Sequence, residues 1–156
     1  MALQGTALAL SRCELFKDFS ETGLAILATI AAERPVPAGV PIFVEGMASD
    51  ALFVVKSGKV RILVRDAEGN DQPIGVAGEG DPLGQLALLL PSGARMVSAV
   101  ATEGTQLLEI RSRDFQRLQG QKPQACLKLM MAIAAQLGRS LGDNRELFRA
   151  ALSKAK

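Results

Sequence analysis

The sequence predicts a mainly β domain, a sandwich or barrel of short strands, with α-helices flanking it at both ends. Three observations lead there. From Pro41 to Arg111 the apolar residues fall in short runs, PIFVEG, ALFVVKSG, KVRILVRD, QPIGVAG, RMVSAVA and TQLLEIR, divided by glycine-bearing turns. Strands at such regular spacing are the pattern of a sandwich or barrel. Before Arg34 and after Ser112 the apolar spacing changes to three and four, which is the helical period. The chain has 156 residues, 48% of them hydrophobic, enough for one domain with a real core and an appended element.

Taken in order, the N-terminal run MALQGTALALSRCELF lacks a basic leader and soon meets Arg12, Glu14 and Lys17. It is too short to span a bilayer, and no later segment is long and uncharged enough. The expectation is a soluble cytoplasmic protein with no membrane partner. Ser20 reads as an N-cap for ETGLAILATIAAE, a short amphipathic helix. Leu24, Leu27 and Ile30 share its face, with Ala28 and Ala31 beside them. Arg34-Pro35-Val36-Pro37 closes it, because the residue before a proline avoids helical geometry. In KVRILVRD, Val60, Ile62 and Val64 alternate with Arg61, Leu63 and Arg65, as a half-buried strand requires. EGND, Glu68 to Asp71, reads as the following hairpin turn.

After the last strand run, Ser112 can cap RDFQRLQ, and Pro123 suits the first turn of a new helix. In that helix Cys126, Met130, Ile133, Leu137 and Leu141 recur at spacings of four, three, four and four, one apolar stripe. It either packs on the chain's own strands or pairs with its copy in a dimer, and its heptad-like spacing favours the dimer. NRELFRAALSKAK reads as a final helical turn or two with a fraying basic end. The organisation is thus residues 1–119, a helix and the strand region, then 120–156, a C-terminal helical segment, with no separate output domain.

Composition removes several functions. The formal net charge is +2 with no long basic run, so nucleic acid is not the expected partner. There is no histidine, the commonest metal ligand and general base. No enzyme, metal or cofactor is expected. Cys13 and Cys126 form no CxxC pair and read as buried thiols in a reducing compartment, with a bridge between them left open. Glu45, Asp50, Asp66, Glu79 and Asp81 fall mainly in turns, as solvated caps do.

One passage has chemistry of its own. In GEGDPLGQLALLLPSGARMVSAV, Gly84 precedes a short helix, and Arg95 follows a tight turn of Pro91, Ser92 and Gly93. Glycine lets backbone approach a ligand closely. The first amides of a helix have no internal partner and favour anions. A guanidinium supplies forked, charge-assisted bonds to phosphate. Local chemistry alone leaves an ordinary turn and a surface arginine as the commoner reading.

The order of segments adds more. AGVPIFVEG, LFVVKSGKVRI with Gly58 at its turn, and GQLALLL followed by Ala94-Arg95 together resemble the cyclic nucleotide-binding domain family, from about Leu15 to Leu141. The resemblance implies a β-roll, a jelly-roll type double-stranded β-helix of about eight strands flanked by helices. It implies a phosphate-binding cassette within residues 1–119, with cAMP or cGMP as ligand. Carried over by position, the site residues are Gly84, Gln85, Leu86, Ala87, Arg95 and Met96. Arg95 takes the phosphate, and Ser98 stands near the end of the motif. The chain departs from the family at Leu83, which replaces an aromatic residue, and at Gln85, which replaces the glutamate that takes the ribose hydroxyl proton. Met96 and Val97 replace small residues and would narrow the pocket. Val60, Ile62 and Val76 are candidates for the base pocket, and Phe148 for an aromatic lid or plain packing. The function implied is a free-standing sensor that signals ligand state to an unidentified partner protein through its C-terminal helix. The alternative is a degenerate roll that binds no nucleotide and acts as an interaction adaptor.

Overall fold

The computed structural model describes residues 3–154. Helix α1 (Gly5–Ser11), a 3-10 turn (Glu14–Phe16) and helix α2 (Glu21–Ala28) precede strands β1 (Ala31–Val36), β2 (Pro41–Phe43), β3 (Ala51–Ser57), β4 (Val60–Arg65), β5 (Asp71–Ala77) and β6 (Pro82–Leu83). A short helix α3 (Leu86–Leu89) interrupts the strands before β7 (Ser98–Ala101) and β8 (Thr105–Arg111). Helices α4 (Ser112–Gln119), α5 (Pro123–Asp143) and α6 (Arg145–Lys154) complete the described chain. The strands form two four-stranded sheets, in the orders β1-β8-β3-β6 and β2-β7-β4-β5, with every pair antiparallel. This is the helix-flanked β-roll expected from the sequence. Gly58 makes the tight β3–β4 turn at φ 104°, where a Cβ would collide with Thr105.

The first sheet separates two cores. Ala51 to Val55 in β3 are all buried, so this strand reads as a continuous apolar run, as strands covered on both faces do. Leu52 and Val54, with Leu108 and Ile110 of β8, face the helices and meet Leu10, Phe16, Leu24, Leu27, Phe115, Leu129 and Ile133. Ala51, Phe53 and Val55, with Leu107, face the second sheet and meet Phe43, Val60, Leu83 and Ala99. β5 edges the second sheet, and every residue of it but Ala77 is exposed.

Several local expectations change. Ser20 caps α2 as read, its Oγ accepting from Gly23 N at 3.1 Å. The helix then stops at Ala28, where Thr29 N and Ile30 N donate back three residues to Ile26 O and Leu27 O. The AAERPV expected to finish it pairs instead with β8 as an edge strand. Pro35 is tolerated there because an edge strand has one partner and spare backbone donors. Ser112 does not cap α4; it is buried, and its Oγ donates to Ala87 O at 2.8 Å. The hairpin turn begins at Asp66, whose carboxylate accepts from Glu68 N, Asn70 N and Gln72 Nε2.

Pro123 opens α5 as expected. Cys126 and Ile133 of the predicted stripe pack on the helix-side core, with Met130 and Leu137 against its edge, while Leu141 is 62% exposed. The stripe is therefore mostly intramolecular, and Leu129 joins it. Cys13 and Cys126 are free and buried, and burial pushes the Cys13 thiol up to about 11. Helix α6 runs for ten residues, longer than the turn or two expected, and buries none of them. The basic end expected at Lys156, like Met1 and Ala2, lies outside the described residues. Among the described residues no helix is long and apolar enough to cross a membrane.

Candidate functional site

The backbone around Arg95 is fixed by its neighbour in space, the segment 46–49. Ser49 N donates to Gly93 O at 2.7 Å, Ser92 N to Ser49 O at 3.2 Å, Arg95 N to Met47 O at 2.7 Å and Gly46 N to Arg95 O at 2.8 Å. The Pro91-Ser92-Gly93 turn thus returns the chain along residues 46–49, and Arg95 enters the space between the sheets from that edge. Opposite it, Gly84 sits at φ 67°, and a Cβ there would collide with Arg95 Nη1. Glycine suits this position for its left-handed backbone, and it leaves room for the arginine lying against it.

Arg95 is 5% exposed. Its guanidinium stacks 4.2 Å from the centroid of the Phe43 ring, a cation–π arrangement. Nη2 donates to Ala51 O at 2.9 Å and reaches Asp50 Oδ1 only at 3.5 Å. The Asp50 side chain is 86% exposed, so water screens most of its attraction. Nε and Nη1 are buried without a hydrogen-bond partner. Burial pulls the pKa of the guanidinium below its ordinary value, while Asp50 and Glu109 oppose that shift. A buried cation left this incomplete is costly.

A cavity of about 170 Å³ opens beside it, walled by Phe43, Ser49, Gly84, Gln85, Leu86, Met96, Val97 and Leu137 among others. The structure therefore gathers Gly84, Gln85, Leu86, Arg95 and Met96 around one space. Ala87 stands apart: its side chain is fully buried, and its N–H donates to Gly84 O within the turn. Met96 is 68% exposed and borders the cavity without plugging it. Ser98 is buried in β7, where its Oγ accepts from Glu45 N. Val60, Ile62 and Val76 do not line this cavity: Val60 belongs to the inter-sheet core, Ile62 packs against it, and Val76 is exposed. Phe148 is exposed on α6 and is no lid in this conformation.

Sequence reasoning missed three contributors. Phe43 supplies the aromatic face under Arg95, and only its place in the PIFVEG segment pointed to it. Leu137 was read as stripe and also walls the cavity. Gln136, beside it on α5, accepts a hydrogen bond from Gln85 Nε2 at 2.9 Å.

Two larger hollows differ in chemistry. One of about 530 Å³ lies between the 3-10 turn and α5, lined by Phe19, Leu127 and Met131 among others. The other, of about 750 Å³, has polar walls on which three arginines are paired with acids. There Arg34 and Arg111 meet Glu109 at 3.1 and 2.7 Å, and Arg117 meets Asp114 at 3.7 Å. Among the described residues, the buried side-chain nitrogens without a hydrogen-bond partner are Arg95 Nε and Nη1, beside the smaller cavity.

Comparison with known proteins agrees with this geometry. The family model for the cyclic nucleotide-binding domain matches residues 33–122. The cyclic AMP receptor protein of Thermus thermophilus is 36% identical over 104 residues, 67% of this chain and 48% of that protein. A CRP-like cAMP-activated global transcriptional regulator of Mycobacterium tuberculosis is 25% identical, over 88% of this chain and 61% of that one. The chain thus spans about half to three fifths of the length of these curated relatives. The crystal structure of the Thermus thermophilus catabolite activator protein superposes with a TM-score of 0.78 at 31% identity, covering 90% of this chain and 63% of that one. With the family model spanning more than half its length and the cassette glycine and arginine brought together on a β-roll, this chain belongs to the cyclic nucleotide-binding domain family.

Proposed function

We propose that the cavity beside Arg95 binds a cyclic nucleotide, cAMP or cGMP, and that the protein is a regulatory sensor rather than an enzyme. The observation that carries this is the buried guanidinium with Nε and Nη1 unpaired. A cyclic phosphate has one negative charge and two free oxygens, acceptors to which an unpaired guanidinium N–H can donate. The cavity is smaller than the roughly 300–1,000 Å³ usual for ligand sites, and Leu137 of α5 forms part of its wall. A ligand that enters must repack the Leu137 side chain and so bears directly on α5. This is how occupancy would shift α5 and α6 and be read by a partner protein, through contacts made in one state only. Residues up to 119 then sense and those after 120 transmit, in the cytoplasm, where Cys13 and Cys126 stay reduced.

The exposed side of the C-terminal helices supports a homodimer, on a seam other than the predicted stripe. Leu127, Met131, Ala134, Gly138 and Leu141 are all exposed and alternate at spacings of four and three, the knobs-into-holes period of a coiled coil. Light scattering of the wild type and of a Leu127→Lys, Met131→Lys double variant tests it; monomer mass for both rejects the dimer.

Calorimetry and thermal unfolding with cAMP and cGMP test the sensor. Ligand at one hundred times its dissociation constant should add about 2.7 kcal/mol. If neither nucleotide binds, the chain is the degenerate adaptor roll.

A further inference from the structure

The cassette is joined to α5 by one side-chain hydrogen bond, from Gln85 Nε2 to Gln136 Oε1 at 2.9 Å, between residues 51 apart in sequence. The next residue on α5, Leu137, lines the same cavity as Gln85 and Arg95. A glutamine side chain has two N–H donors on one atom and a carbonyl acceptor on the other. With its nitrogen tied to α5, Gln85 has Oε1 left over, and no donor among the described residues pairs with it. We infer that Gln136 is a positioning residue for sugar recognition: it holds the Gln85 side chain so that the free end of its amide meets a hydroxyl of the bound nucleotide. This rests on the sensor reading above and adds to it a residue outside the cassette.

The physical reason is conformational entropy. An untethered glutamine samples several rotamers and loses that freedom when a ligand selects one. The bond to Gln136 restricts the Gln85 side chain before the ligand arrives. The tether also ties sugar recognition to α5, so any displacement of α5 from the cassette weakens the hold on the hydroxyl. By reciprocity, a ligand with the hydroxyl holds α5 to the cassette more firmly than one without it.

The test is the ratio of affinities for cAMP and 2′-deoxy-cAMP, measured by calorimetry on the whole chain. A neutral hydrogen bond predicts a wild-type preference for cAMP of about two- to tenfold. Gln136→Ala should cut that ratio to less than half its wild-type value while changing the affinity for the deoxy analogue little. Gln136→Glu keeps an acceptor for Gln85 Nε2, so both affinities fall through charge repulsion and the ratio stays. Gln85→Ala should abolish the preference, and adding Gln136→Ala to it should change the ratio no further, because the two act as one unit. An unchanged ratio in Gln136→Ala overturns the positioning role and leaves the sensor standing. So does a wild type that binds both nucleotides equally. A wild type that binds neither overturns both.

Discussion

The core between the first sheet and the helices is built from aliphatic, aromatic and thiol side chains, among them Leu10, Phe16, Cys13, Phe115 and Leu129. The core between the two sheets has the same apolar lining, Phe43, Phe53, Val60 and Leu107, yet Arg95 is buried at its edge with two nitrogens unpaired. The same strands, β3 and β8, wall both. One face of the sheet is therefore packed for stability alone, and the other carries a defect that costs stability. Replacing buried ionic groups by apolar ones is often neutral or stabilising, so stability does not account for the two unpaired nitrogens. The proposed anion would.

This contrast can be broken, beginning with the largest effect. Phe115→Ala empties a fully buried site on the helix side and should cost about 3–5 kcal/mol, read from urea unfolding. Nucleotide affinity of the fraction that stays folded should hold. Arg95→Met should do the reverse: affinity falls about ten- to hundredfold with the loss of a charge-assisted pair, while stability holds or rises. A loss of stability as large as that of Phe115→Ala would erase the distinction between the two cores.

Gly84→Ala should lower both quantities together, since it strains a backbone at φ 67° and pushes on Arg95. A strained residue of this kind costs about 1–3 kcal/mol. Unchanged stability would mean the loop yields freely, and the close approach of backbone and guanidinium would then be incidental.

The smallest effect lies far from both cores. Asn70 N, then Gln72, hydrogen-bond the Asp66 carboxylate and hold its pKa below the ordinary aspartate value. Its folded-state pKa is depressed, so its contribution is present above the unfolded value and lost as pH falls through the lowered one. Carbon-detected titration should show Asp66 ionising below a typical aspartate. Asp66→Asn should remove that part of the acid dependence, and an ordinary titration would refute the turn geometry.

The class of the fold was legible in the sequence. Period-two alternation in Val60 to Arg65, apolar runs of strand length and glycine turns are local facts, and local backbone preference acts on them directly. The same holds for Ser20 as a cap and Pro123 as a helix start, because each bonds or blocks its own neighbours. The pairing of Gly84 with Arg95 was legible through the resemblance and not through periodicity. Other features were decided only when distant segments met. AAERPV suits a helix end as well as a strand, and β8 settled it by offering an unpaired edge. Ser112 turned from its own helix to Ala87 O, Phe43 came to lie beneath Arg95, and Gln136 reached Gln85 across 51 residues. Periodicity states which face of an element is buried; what that face meets depends on how the sheets and helices stack, and so the chemistry of the cavity wall belongs to the tertiary structure.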